Sequence, residues 1–93
     1  MNEWFFVSAW LEKLDTEIHF EIANEDGEQY FFFLKVELVN QALACVANSA
    51  LDRFYYAEED MLALATTIID EEMIDDPERV CISQAMFKRY FSR

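Results

Sequence analysis

The sequence predicts an α+β domain: a small antiparallel hairpin or sheet followed by three helices, with an N-terminal segment that forms either helix or strand. Three observations lead there. Residues 18–22 alternate apolar and polar side chains at the strand period, residues 30–37 repeat that period with Tyr30, Phe32, Leu34 and Val36 on one face, and from Val39 onward the period lengthens to that of a helix. A single Gly and a single Pro in 93 residues leave little material for irregular loops. The third is the 54% hydrophobic and 16% aromatic content, which supplies a core and argues against a disordered acidic tail. That length fits one acidic domain spanning residues 1–93 and no second core.

In residues 3–14, Trp4, Val7, Trp10, Leu11 and Leu14 fall on one side of a 3.6-residue wheel with Phe6 near its edge. This favours a helix, although the aromatic and β-branched run Trp4–Val7 suits a strand equally well. The next two segments are strands, because Ile18, Phe20 and Ile22 alternate with Glu17, His19 and Glu21, and Tyr30, Phe32, Leu34 and Val36 alternate with Phe31, Phe33, Lys35 and Glu37. A two-residue Asp26-Gly27 loop between them would mix the two faces. A three-residue loop Glu25-Asp26-Gly27, with Gly27 left-handed, pairs Ile22 with Tyr30, Phe20 with Phe32, Ile18 with Leu34 and Glu17 with Lys35.

Val39, Leu43, Val46 and Ala50 then share a helical face, with Gln41, Cys45 and Asn48 opposite. A connector is expected around Asp52 to Tyr56. A second helix of roughly 17 residues begins near Ala57, with Glu58, Glu59 and Asp60 in the first turn, where the helix dipole favours anions. Its apolar stripe, Met61, Leu62, Leu64, Ala65, Ile68, Ile69 and Met73, is wide enough to meet two neighbours. Asp76-Pro77 reads as an N-cap and first helical residue, starting a last helix that runs to about Phe91, with a short strand at Arg79–Ser83 as the alternative.

Composition also restricts function. Seven Lys and Arg against 19 Asp and Glu give a net charge of −12, which disfavours direct binding to nucleic acid or to an anionic membrane and favours a basic protein surface. One Gly cannot build a phosphate-cradling loop, so no nucleotide cofactor is expected. His19 lies mid-strand between Glu17 and Glu21, and Cys45 and Cys81 stand far apart, so neither a nucleophile–base pair nor a zinc site is expected. The carboxylates of residues 70–78 lack the ligand spacing of a calcium loop. The expectation is therefore a non-enzyme without metal or cofactor. Two cysteines, no basic leader at the start and no apolar run near 20 residues point to the cytoplasm.

The acid is blocked, with seven carboxylates between Glu12 and Glu28 and nine between Glu58 and Glu78. Glu58, Glu59, Asp60, Asp70 and Glu71 are candidate partner-binding residues on the second helix, where Glu59, Asp60 and Asp70 share a polar face. Glu21, Phe31 and Phe33 are candidates on the hairpin, on a side that the N-terminal segment Trp4 to Leu14 is expected to cover; the alternative is that it stays partly open as an aromatic anchor ringed by acid. Phe54-Tyr55-Tyr56 is either core edge or contact patch. The composition matches that of small acidic DNA-mimic, anti-CRISPR and anti-restriction inhibitors, without any family motif. The expected function is inhibition of a basic nucleic-acid-handling protein such as a nuclease or CRISPR effector. The alternatives are an immunity protein or antitoxin against a basic toxin, and an acidic homodimer or assembly subunit.

Overall fold

Apolar residues two apart in the hairpin all turn to one side, and in the computed structural model, which describes residues 3–43 and 49–91, that side is the core. Strands β2 (Glu17–Asn24) and β3 (Gln29–Lys35) pair antiparallel in the expected register, Ile22 with Tyr30, Phe20 with Phe32, Ile18 with Leu34 and Glu17 with Lys35. Gly27 takes φ +85°, a left-handed conformation that suits glycine. The buried Asn24 side chain holds the loop, its Oδ1 accepting from the backbone N–H groups of Asp26 and Glu28 at 3.0 Å each.

The N-terminal segment is a strand, which corrects the helical expectation. Strand β1 (Trp4–Glu12) lies beside β2, Leu11 opposite Ile18 and Ala9 opposite Phe20, with a bulge between Phe6 and Ser8. The bulge explains the misreading. An extra residue at Val7 resets the alternation, so Trp4, Phe6, Ala9 and Leu11 all pack toward the core although their spacing breaks the period of two. The β1–β2 turn places Lys13, Leu14 and Asp15 at φ 57°, 55° and 65°, three consecutive non-glycine residues in the left-handed region.

Helix α1 (Val36–Ala42) follows β3 directly. The expected continuation of that helix through Cys45 and Val46 falls outside the described residues. The expected connector is instead helix α2 (Ala50–Tyr56), started by Ser49, whose side chain accepts from Asp52 N–H. Arg53 Nη1 donates to Asn40 Oδ1 at 2.7 Å and ties α2 to α1. Helix α3 (Glu58–Glu71) buries Met61, Leu64, Ala65 and Ile68, while Met73 lies beyond its end, 94% exposed.

Asp76-Pro77 does not start a helix. Asp76 Oδ1 accepts from Glu78 N–H in a tight turn, and the chain then enters strand β4 (Val80–Cys81), parallel to β3 with Val80 opposite Phe32. The last helix, α4 (Gln84–Tyr90), begins after Ser83, whose hydroxyl accepts from Met86 N–H. Among the described residues, four helices and a mixed sheet of order β1-β2-β3-β4 thus form an α+β fold. One core cluster, centred on Phe20, Phe32, Phe54, Met61, Leu64 and Ile68, joins the sheet to the helices. Among the described residues the buried cluster lies on one face of the sheet, and the opposite face, the open side, carries the half-buried Trp10, His19, Phe31 and Phe33.

Candidate partner-binding surfaces

The expected site residues fall on two separate surfaces. Glu58, Glu59 and Asp60 occupy the first turn of α3, and Asp70 and Glu71 its last. Glu21, Phe31 and Phe33 belong to the open side of the sheet, where Glu21 sits opposite Phe31.

At the start of α3, Tyr55, Tyr56, Glu58, Glu59 and Asp60 line a shallow depression of about 410 Å³. Phe54 is fully buried, whereas Tyr55 and Tyr56 are exposed, so this aromatic run divides between core and surface. Tyr55 packs edge-on to Phe6 and its hydroxyl donates to the Ala9 carbonyl on the outer edge of β1 at 3.2 Å. Val7, at the β1 bulge, and Phe5 are also exposed. Tyr55 therefore joins the outer edge of β1 to α2, beside the acidic first turn of α3.

The acids along α3 do not form a continuous ladder. Glu59 and Asp70 lie on one exposed stripe about 16 Å apart along the axis. The positions between them on that stripe are Ala63 and Thr66, which carry no charge. Glu58 and Asp60 are half-buried at the margins. Helix geometry separates the two acidic ends further. Glu58, Glu59 and Asp60 sit at the positive end of the helix dipole, which stabilises them; Asp70 and Glu71 sit at the negative end, with no basic residue in the last turn.

On the open side of the sheet, the register sets Trp10, His19, Phe33 and Cys81 in one row across all four strands. Their rings stack. Trp10 and His19 have centroids 6.1 Å apart and planes 23° apart, and His19 and Phe33 are 5.2 Å and 15° apart. The Arg79 guanidinium lies over Phe33, 4.8 Å from the ring centre. Carboxylates flank this column. Glu12 Oε2 accepts from the Trp10 indole N–H at 2.6 Å and lies 3.6 Å from His19 Nδ1, while Glu17 Oε1 lies 3.0 Å from His19 Nε2. An ionised carboxylate only accepts, so Nε2 carries the proton in the Glu17 contact. On the other side of the row, Glu21 Oε2 accepts from Gln29 Nε2 at 2.8 Å.

Phe31 and Phe33 are half-buried, and the N-terminal segment does not cover them as expected. Adding β1 to the sheet edge extends this face instead and contributes Trp10 to it. The sequence reading missed Trp10, Glu12 and Arg79 as surface residues. On a helical wheel Trp10 falls in the core stripe; strand alternation from Leu11 through the turn to His19 is the signal that places it outside.

Among the described residues no group of three or more His, Cys, Asp or Glu side chains is placed to hold a metal ion. No described helix is long and apolar enough to cross a membrane. Cys81 is exposed at the end of the aromatic row, and Cys45 lies outside the described residues. Comparison with family models, with curated proteins and with solved structures gives no match.

Proposed function

We propose that this protein binds a basic, nucleic-acid-handling protein and blocks it stoichiometrically, as DNA-mimic, anti-CRISPR and anti-restriction inhibitors do. The observation that carries this reading is acid placed against local stability. Asp70 and Glu71 oppose the helix dipole and have no basic residue beside them in the last turn, so folding alone gives no reason for them. A basic partner does. The exposed Tyr55 and Tyr56 beside Glu58, Glu59 and Asp60 add the aromatic anchor that a compact interface needs. Since the α3 stripe is uncharged between Glu59 and Asp70, the proposed mode is two acidic patches bracketing a smooth helix surface, with steering by the net charge of −12.

Displacement of a fluorescent DNA duplex from a panel of nucleases, restriction enzymes and CRISPR effectors, followed by anisotropy at low and raised salt, tests this. One target should release its duplex at a one-to-one ratio, with weaker competition at raised salt. The combined variant Glu59→Gln, Asp70→Asn, Glu71→Gln should compete roughly tenfold less well, while Asp70→Asn with Glu71→Gln alone should raise stability by about 0.3–1 kcal/mol per residue. Undiminished competition by the triple variant would overturn the proposal, as would the absence of any target in the panel. The immunity-protein reading uses the same aromatic and acidic surface. It is favoured if growth rescue from a basic toxin depends on Tyr55 and Tyr56 while no duplex is displaced.

A further inference from the structure

We infer that the column of rings on the open side of the sheet is an arginine-binding site, with the outer face of Trp10 as its vacant end. The column runs Arg79, Phe33, His19, Trp10. One end is already closed by a guanidinium stacked on Phe33. At the other end Trp10 belongs to the edge strand β1, and among the described residues its only ring partner is His19. Indole is the strongest cation–π acceptor among the side chains, so a cation caps the column at its weaker end while, among the described residues, none stacks on the half-buried Trp10 at its stronger one.

The polar groups at the open end match the same occupant. Glu12 is half exposed, and its Oε2 is fixed by the Trp10 indole N–H, which holds a carboxylate beside the ring. A guanidinium laid flat on the indole can keep its N–H groups in the ring plane and donate sideways to Glu12; an ammonium, being a compact hydrated point charge, matches this geometry less well. The cations nearest in the fold are Lys13, next to Glu12 in the turn, and Lys35, opposite Glu17 on β3. Neither shares the row of Trp10.

The occupant is an arginine side chain on an exposed segment of a basic protein. This rests on the basic-partner reading above and names the residue type recognised, at a place separate from α3.

The test uses the whole chain labelled with ¹⁵N, in which Trp4 and Trp10 are the two indole N–H reporters. The signals are assigned with the variant Trp4→Phe. The probes are three matched peptides of alternating glycine with arginine, lysine or citrulline. The arginine peptide should shift the Trp10 indole signal saturably while leaving Trp4 in place, and it should bind roughly three- to fivefold tighter than the lysine peptide. The citrulline peptide should not bind. Glu12→Gln retains an acceptor for the indole N–H and should weaken arginine binding several-fold with an unchanged melting temperature; Trp10→Leu should abolish the arginine preference.

Equal shifts with arginine and lysine peptides, shifts confined to the backbone amides of α3, or no shift at Trp10 would each overturn the site. The two proposals fail separately. If Trp10 responds to arginine but no nucleic-acid-handling protein is displaced, the inhibitor reading falls and the site stands. If a target is displaced equally well by Glu12→Gln and no peptide moves Trp10, the site falls and the inhibitor reading stands.

Discussion

The two sides of the sheet use the same strands and the same stacking geometry for different ends. On the covered side Phe20 stacks on Phe32 at 5.3 Å and 13° and meets Phe54 at 5.0 Å, all of them fully buried. On the open side the equivalent stack is Trp10, His19 and Phe33, and every polar atom the rings carry meets a carboxylate. Ring stacking alone therefore does not mark a core. The hydrocarbon stack of Phe20, Phe32 and Phe54 is sealed by helices, whereas the stack that includes indole and imidazole stays wet, because indole N–H and imidazole nitrogens need partners that a dry core would have to supply.

The largest effect expected from this contrast is in the covered stack. Phe20→Ala leaves a cavity among Phe6, Phe32 and Phe54 and should cost about 3–5 kcal/mol, lowering the melting temperature by roughly 15 °C or more. A fall of only a few degrees would show that the helices can collapse onto the gap. Phe33→Ala, the equivalent deletion on the open side, should cost about 1 kcal/mol, since its ring is only partly buried and leaves no enclosed cavity. If thermal denaturation shows it to be as damaging as Phe20→Ala, the open side is structural and the contrast is broken.

The smallest effect lies in the turn between β1 and β2, which belongs to neither side. Leu14 is 98% exposed with φ 55°, so Leu14→Gly removes backbone strain without removing packing. Urea unfolding should show a gain of about 0.5–1 kcal/mol, because relief of the left-handed conformation exceeds the added freedom of the unfolded chain. A loss would mean that Leu14 makes a contact in solution.

The hairpin was legible down to its register because Ile18, Phe20 and Ile22 alternate with Glu17, His19 and Glu21, and only one loop length puts them opposite Leu34, Phe32 and Tyr30. Strand β1 was not, since the bulge at Val7 turns a period of two into a spacing close to helical. Helix α3 was read from its stripe, but α4 was started too early: Asp76-Pro77 is a good cap in isolation, yet Val80 gains more by reaching Phe32 than by continuing a helical turn. Of the candidate surface, the α3 acids and Phe33 came from the sequence alone. Trp10 and Arg79 did not, because each reaches the column through pairing or packing between distant parts of the chain.

Strand β4 has a consequence for timing. Strands β1, β2 and β3 are joined by short turns and can zip together locally, but β4 reaches β3 only after the chain has passed through α1, α2 and α3. Sheet completion therefore waits on the long loop being closed by helix docking, and the short pairing that results is extended on either side by Phe31 N–H donating to the Pro77 carbonyl at 2.8 Å and Ile82 N–H donating to the Phe33 carbonyl at 2.9 Å. Arg79 immediately precedes that pairing. Val80 and Ile82, on either side of Cys81, lie in the same buried cluster as Phe20, so lifting β4 would open that core as well, and the guanidinium cap on Phe33 is held in place by the closure of the core beneath it.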